Sequence, residues 1–291
     1  MNNKSSTSII NHWLAKRIPI FYGWVIIPIS IISTAMTSPG QTYMISVFNS
    51  SFRDALGLNL SQLTGAYMFG TLAASIPQSY LGVLIDRYGS RRMLYFIVGL
   101  LALACLYISV VTNLTMLFIG FFLLRLLGQG GLSLISLNML PMWFHKSLGT
   151  ITGVKNVINS IIIGVIPVCI LTLINQVGWQ NTYVTVGVTV LIIMLPITHF
   201  LFINRPEDIG QLIDGITLKS KKAVDCNFPL FGQHDFDLKE AMRTRSYWIF
   251  TLIWVAFAMF STAITFNLLP IFTEIGLTEK QAAATLSLIH I

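Results

Sequence analysis

Arg125 is the only Asp, Glu, Lys or Arg between residues 93 and 145. A guanidinium in the middle of an apolar run is costly to bury, so it must face a cavity, a bound anion or neighbouring carbonyls. At helical spacing beyond it come Gln129, Ser133 and Ser136, with Gly128, Gly130 and Gly131 beside them for close packing. These residue types suit the capture of an anion, and Gln41 and Tyr43 from an earlier segment are expected nearby. The competing reading is structural, with Arg125 bonding only backbone carbonyls.

A second cluster occupies residues 82–92, Gly82-Val83-Leu84-Ile85-Asp86-Arg87-Tyr88-Gly89-Ser90-Arg91-Arg92, with the form G-x-x-x-D-R-x-G-x-R-R. Gly82 permits close helix approach, and Gly89 allows a positive backbone angle in a short turn. Asp86 can accept hydrogen bonds from arginines or from a helix N-terminus. A merely basic turn explains Arg87, Arg91 and Arg92 but not the glycines or the Asp. Other chemistry finds no support. Cys105, Cys169 and Cys226 are scattered, and His12, His145, His199 and His234 lie at ends or in loops. With no phosphate-loop lysine motif, zinc spacing or nucleophile elbow, neither an enzyme nor a metal or cofactor site is expected.

The elements that must hold these residues follow from composition. The 291 residues are 54% hydrophobic and 10% charged, with mean hydropathy +0.74, whereas soluble domains carry about 25% charged residues. Segments 18–52, 55–85, 93–124, 126–145, 156–204 and 246–273 contain no Asp, Glu, Lys or Arg. At about 20 residues per crossing, they predict helices over 22–48, 63–84, 92–112, 115–138, 150–174, 180–203 and 247–271, with another beginning near Ala282. The chain is therefore an all-α membrane protein. Its net charge of +7 is better explained by membrane topology than by nucleic acid. Odd and even connections divide the charges sharply, and 15 of the 18 basic residues fall on one side. That side, which includes the N-terminus, is expected to be cytoplasmic in the plasma (inner) membrane.

Six helices with short connections precede a polar stretch, 204–245, and then a seventh helix. A chain built of two six-helix halves has this arrangement. Gly57-Leu58 with Gln62 recurs as Gly276-Leu277 with Gln281, each just beyond a comparable helix. Asp237 and Glu240 have capping-box spacing, predicting a short surface helix before the seventh. The organisation expected is a cytoplasmic N-terminus (1–21), a six-helix half (22–203), a central loop (204–245) and the start of a second half (246–285). Residues 286–291, Leu-Ser-Leu-Ile-His-Ile, are what a tagmentation-adapter sequence encodes, so native sequence is expected to stop near Thr285.

The 82–92 motif resembles the signature of the major facilitator superfamily between helices two and three, and Arg-Leu-Leu-Gly-Gln-Gly from Arg125 looks like its second signature, in helix four. The resemblance implies the major facilitator fold, with a complete N-terminal half, helix seven and the start of helix eight of twelve. It implies that Gly82, Asp86, Arg87, Gly89, Arg91 and Arg92 latch the halves, and that Arg125 attracts substrate or couples protons. It also implies that helices one, four and seven line a cavity, where the stripe Ser30, Ser33, Thr34, Thr37 and Gln41 would lie. Phe21-Tyr22-Gly23-Trp24, Gly178-Trp179 and Arg205-Pro206-Glu207-Asp208-Ile209-Gly210 are similar to the monocarboxylate and oxalate/formate branch. Gly164-Val165-Ile166-Pro167 departs from the glycine-rich drug-antiporter motif, and the lysine that some monocarboxylate members carry in helix one has no counterpart here. Lys155 is expected to snorkel to the cytoplasmic surface. Secondary transport of a small organic anion, with protons or by exchange, is the expectation. Passage of an uncharged or amphiphilic compound, or a non-transporting receptor or scaffold, remains the alternative.

Overall fold

The computed structural model describes residues 21–215, 238–276 and 281, and among these every regular element is helical. Six stretches are long and apolar enough to cross a bilayer: Gly23–Gly40, Leu60–Tyr88, Ser90–Ser109, Leu114–Met139, Leu148–Leu201 and Arg245–Leu268. The fifth holds two crossings. As one helix its 54 residues would run about 80 Å, but Gly178 interrupts it at φ 82. Lys155, before that glycine, bonds the Ser136 carbonyl, and Ser30 of the first span bonds the same oxygen. Ser33, one turn on from Ser30, reaches Met194, which lies after the glycine. The chain therefore doubles back at Gly178, giving fifth and sixth spans at 148–177 and 179–201. The seventh span runs Arg245–Glu274.

These are the seven helices that the uncharged segments predict, and most ends differ by a few residues. The second is longer at both ends, because an Asn59–Gln62 capping box starts it early and it continues through Asp86 and Arg87 to Tyr88. The surface helix before the seventh span is one turn, Leu238–Ala241. Asp237, the helix expected from Ala282 and residues 286–291 lie outside the described residues.

Two spans are irregular where they meet. The first stops at Ala35, passes through a 3-10 turn at Ser38–Gly40 and resumes at Thr42–Val47. Pro39 starts that turn because it has no N–H to give the preceding helix. The fourth span widens to a π-helix over Arg125–Leu132. Backbone touches backbone here: a Cβ on Gly40 would overlap the Leu124 carbonyl oxygen, and one on Gly128 would lie 2.9 Å from Gly40 Cα. Further along, Gly131 makes room for Ile97 of the third span. Small residues are what allow helices to approach this closely in lipid.

The end of the bundle that carries the Arg87–Arg92 turn, called the basic end below, is laced by the segment after the sixth span. Tyr22 donates its backbone N–H to Gln211 Oε1 at 2.9 Å and its hydroxyl to the Leu201 carbonyl at 2.7 Å. Asp214 takes a left-handed backbone angle, φ 59, which Asp tolerates better than most residues. Its carboxylate accepts the N–H groups of His145 and Lys146 and the Ser147 hydroxyl, just ahead of the fifth span. An anion is favoured at that helix start. Partial desolvation pushes the Asp214 carboxyl up, but these donors together outweigh it and hold the group below its ordinary value.

Two stability predictions follow from these contacts. Gly40→Ala forces apart a backbone contact and should cost about 1–3 kcal/mol, read as a lower Tm of the detergent-solubilised protein. Gly99→Ala, where nothing lies within 4 Å, should not lower it. Asp214→Ala should cost about 0.5–2 kcal/mol at neutral pH. Because the folded carboxyl is depressed, wild type keeps this advantage above the ordinary Asp value of about 3.9. The gap between the two melting curves should close as pH falls below it, through the depressed folded value.

Candidate anion site around Arg125

The Pro39–Gly40 break releases backbone groups inside the bundle, and the Gly40–Gly128 crossing sets one of them beside the lone charge of the fourth span. Arg125 is 6% exposed. Its Nη1 donates to the Gly40 carbonyl at 3.2 Å and to Thr42 Oγ1 at 3.3 Å. The guanidinium carbon lies 5.3 Å from the centre of the Tyr67 ring, within range of a cation–π interaction. Tyr67 in turn shares a 2.8 Å hydrogen bond with Thr42 and stacks on Phe266 of the seventh span at 4.2 Å and 19°. No acidic side chain pairs with Arg125 among the described residues. A guanidinium has five N–H groups, so the cation is oriented yet its charge is not neutralised.

Gln129 and Gln41 lie at this crossing, whereas Tyr43 belongs to its support. Gln129 is half-buried, and its Oε1 is enclosed without a hydrogen-bond partner. Gln41 donates to Thr37 Oγ1 at 3.0 Å and Ser133 Oγ at 3.2 Å, tying the first span to the fourth. Tyr43 is buried, with its hydroxyl 2.7 Å from Ser38 Oγ, and so braces the break. The expected α-helical stripe is altered by the π-helix: Ser133 bonds the Gly128 carbonyl five residues back. Most of the first-span stripe packs rather than lining an opening. Ser30 bonds the Ser136 carbonyl, Ser33 reaches Met194, and Thr34 bonds its own helix.

The 82–92 cluster is divided between two environments. Gly89 has φ 84 and turns the chain between the second and third spans. Arg91 points into the bundle: its backbone N–H meets Asn204 Oδ1 at 3.0 Å, and its guanidinium donates to the Thr198 and His199 carbonyls at the end of the sixth span. Asp86, Arg87 and Arg92 are exposed, and Arg87 lies 5.7 Å from the Tyr88 ring. Gly82 makes no close helix contact among the described residues, since a Cβ there would meet only Leu134 at 3.7 Å.

Three features escape a reading of the sequence. Tyr67 could have been noticed as a polar ring inside an uncharged run, but its partner depends on tertiary packing. Asn49, opening a short helix Asn49–Leu56 just past the first span, donates to the Phe266 carbonyl of the seventh span at 2.9 Å, at the end away from the basic turn. Lys155 does not snorkel, being 3% exposed and bonded to the Ser136 carbonyl. Its face of the fifth span is turned inward, which a single lysine near a helix end does not reveal. Among the described residues no cluster of three His, Cys, Asp or Glu could hold a metal.

Over 148 residues, half of this chain and 32% of the relative, the sequence is 28% identical to the "Probable L-galactonate transporter" of Escherichia coli (strain K12). It is 24% identical over 235 residues, 79% of this chain and 54% of the relative, to the "Uncharacterized MFS-type transporter YhjX" of the same organism. The chain thus spans about half, or less, of the length of these curated relatives. The family model described as "Major Facilitator Superfamily" matches residues 23–291, from the first described span onward. With all-helical architecture and six apolar stretches able to cross a bilayer, this integral membrane chain belongs to the Major Facilitator Superfamily.

Proposed function

We propose that this protein is a secondary transporter that moves a small organic anion of monocarboxylate type by alternating access, coupled to protons or working by exchange. The observation that carries the reading is Arg125, buried near mid-span and unpaired with any acid among the described residues. A charge in such a place is expensive and is retained where a ligand repays it. Gln129 supplies an enclosed carbonyl oxygen that lacks a donor, while Gln41 ties the broken first span to Ser133 and Tyr43 braces the break itself. The L-galactonate named for one relative is itself a carboxylate, which agrees with this substrate class.

The helices divide as a six-span half over 22–203, a connecting segment over 204–245 and the beginning of a second half over 246–285. The two halves rock about the midplane site. An anion can shift that motion only by contacting the two arrangements differently, and Tyr67, shared by Arg125 and Phe266, gives it a means to do so. At the basic end, exposed Asp86, Arg87 and Arg92 latch onto the second half, with Gly82 leaving room for a helix there, while Arg91 and the Gly89 turn fix the latch to the sixth span. This end is cytoplasmic, in the plasma (inner) membrane, because basic residues are held on that side.

Labelled monocarboxylates offered to cells expressing the full-length protein at two external pH values should accumulate, more at the lower pH if protons are co-transported. Arg125→Gln should reduce uptake at least about tenfold, the loss of one charge-assisted hydrogen bond. Full uptake by that variant would remove the anion contact from Arg125. A reporter fused after Arg92 should be found inside the cell, and an external one would invert the topology.

A further inference from the structure

Lys155 is the second cation enclosed among the spans. It lies seven residues, about 10 Å, into the fifth span from Leu148, yet it turns inward rather than to the surface. Its ammonium donates one hydrogen bond, to the Ser136 carbonyl at 3.2 Å. That oxygen, which also accepts the Ser30 hydroxyl, lies in the last turn of the fourth span, where a cation is favoured. This contact explains one N–H of three. No acidic side chain pairs with the other two among the described residues. One turn further along, Asn159 is 5% exposed, and its Oδ1 is enclosed with no hydrogen-bond partner. An unpartnered buried polar group is costly, more so when charged, so helix capping alone accounts poorly for the pair.

The arrangement repeats the one at Arg125. In both places a cation at position i is followed at i+4 by a carboxamide whose carbonyl oxygen is buried and unsatisfied: Arg125 with Gln129, and Lys155 with Asn159. A carboxylate answers the cation. The carbonyl oxygen calls for a donor, which a carboxylate lacks and a hydroxyl group supplies. We infer that Lys155 and Asn159 form a second binding point for the transported anion, nearer the basic end, and that the anion is a hydroxycarboxylate. Ser136, to which Lys155 is bonded, stands eleven residues, about three turns, past Arg125 along the fourth span. A three-carbon acid is too short to touch both cations, so they act in succession along one path. This rests on the anion reading above.

The test is uptake of labelled L-lactate and of propionate, which lacks only the hydroxyl group, by the full-length protein in liposomes. Lys155→Met replaces an unpaired buried charge with an apolar chain of similar size, so Tm should hold or rise, while lactate uptake falls at least tenfold. Lys155→Gln keeps a donor for the Ser136 carbonyl and should show the same transport loss if Lys155→Met does not fold. Lys155→Arg should recover part of it. Asn159→Leu should bring lactate and propionate uptake close together, because the hydroxyl contact is gone. Lactate uptake within twofold of wild type in folded Lys155→Met or Lys155→Gln overturns the second binding point while leaving the anion reading intact. Equal uptake of both acids by wild type overturns the hydroxycarboxylate assignment. A wild type that moves neither acid overturns the anion reading and this inference together.

Discussion

An uncompensated guanidinium in an apolar interior can persist only if its surroundings fix it, and here the fixing depends on the absence of two side chains. Gly40 and Gly128 let the first and fourth spans meet backbone to backbone. That crossing brings the carbonyl freed by the Pro39 turn to Arg125 and sets Thr42 alongside. The site is therefore made by a helix break and a helix crossing together. Moving either apart leaves the cation without its acceptors, at a cost of several kcal/mol in a low-dielectric setting.

The basic end relies on a different economy of contacts. Helix ends expose N–H and carbonyl groups that the bundle must satisfy. Asp214 caps the start of the fifth span, Gln211 the start of the first, and Arg91 takes carbonyls from the end of the sixth. The stretch after the sixth span thereby ties the starts of the first and fifth spans together, and Arg91 of the third span adds the end of the sixth to the same plate.

How much of this was legible in the sequence depends on the range of the interaction. Uncharged runs locate the spans because the cost of burying a charge is large and local. Gly57 and Gly276, matched in the internal repeat, both adopt positive φ just past a helix, at 63° and 90°, since glycine preference is a local property. Pro39 marks the break for the same reason. The inward turn of Lys155, the packing of Ser30 and Ser33 and the place of Tyr67 depend on which helix lies next door, and periodicity carries no such information. The π-helix is the subtler case: glycines at 128, 130 and 131 mark close packing in the sequence, but nothing in their spacing distinguishes a π-helix from an α-helix.

Tyr67 lies within cation–π range of the guanidinium and stacks on Phe266 of the seventh span. A single phenol is thus both a neighbour of the buried charge and half of a seam between distant parts of the chain. Opening the seam would bare that ring and loosen one neighbour of the guanidinium, so the seating of the seventh span and the setting of the buried charge hang on the same side chain.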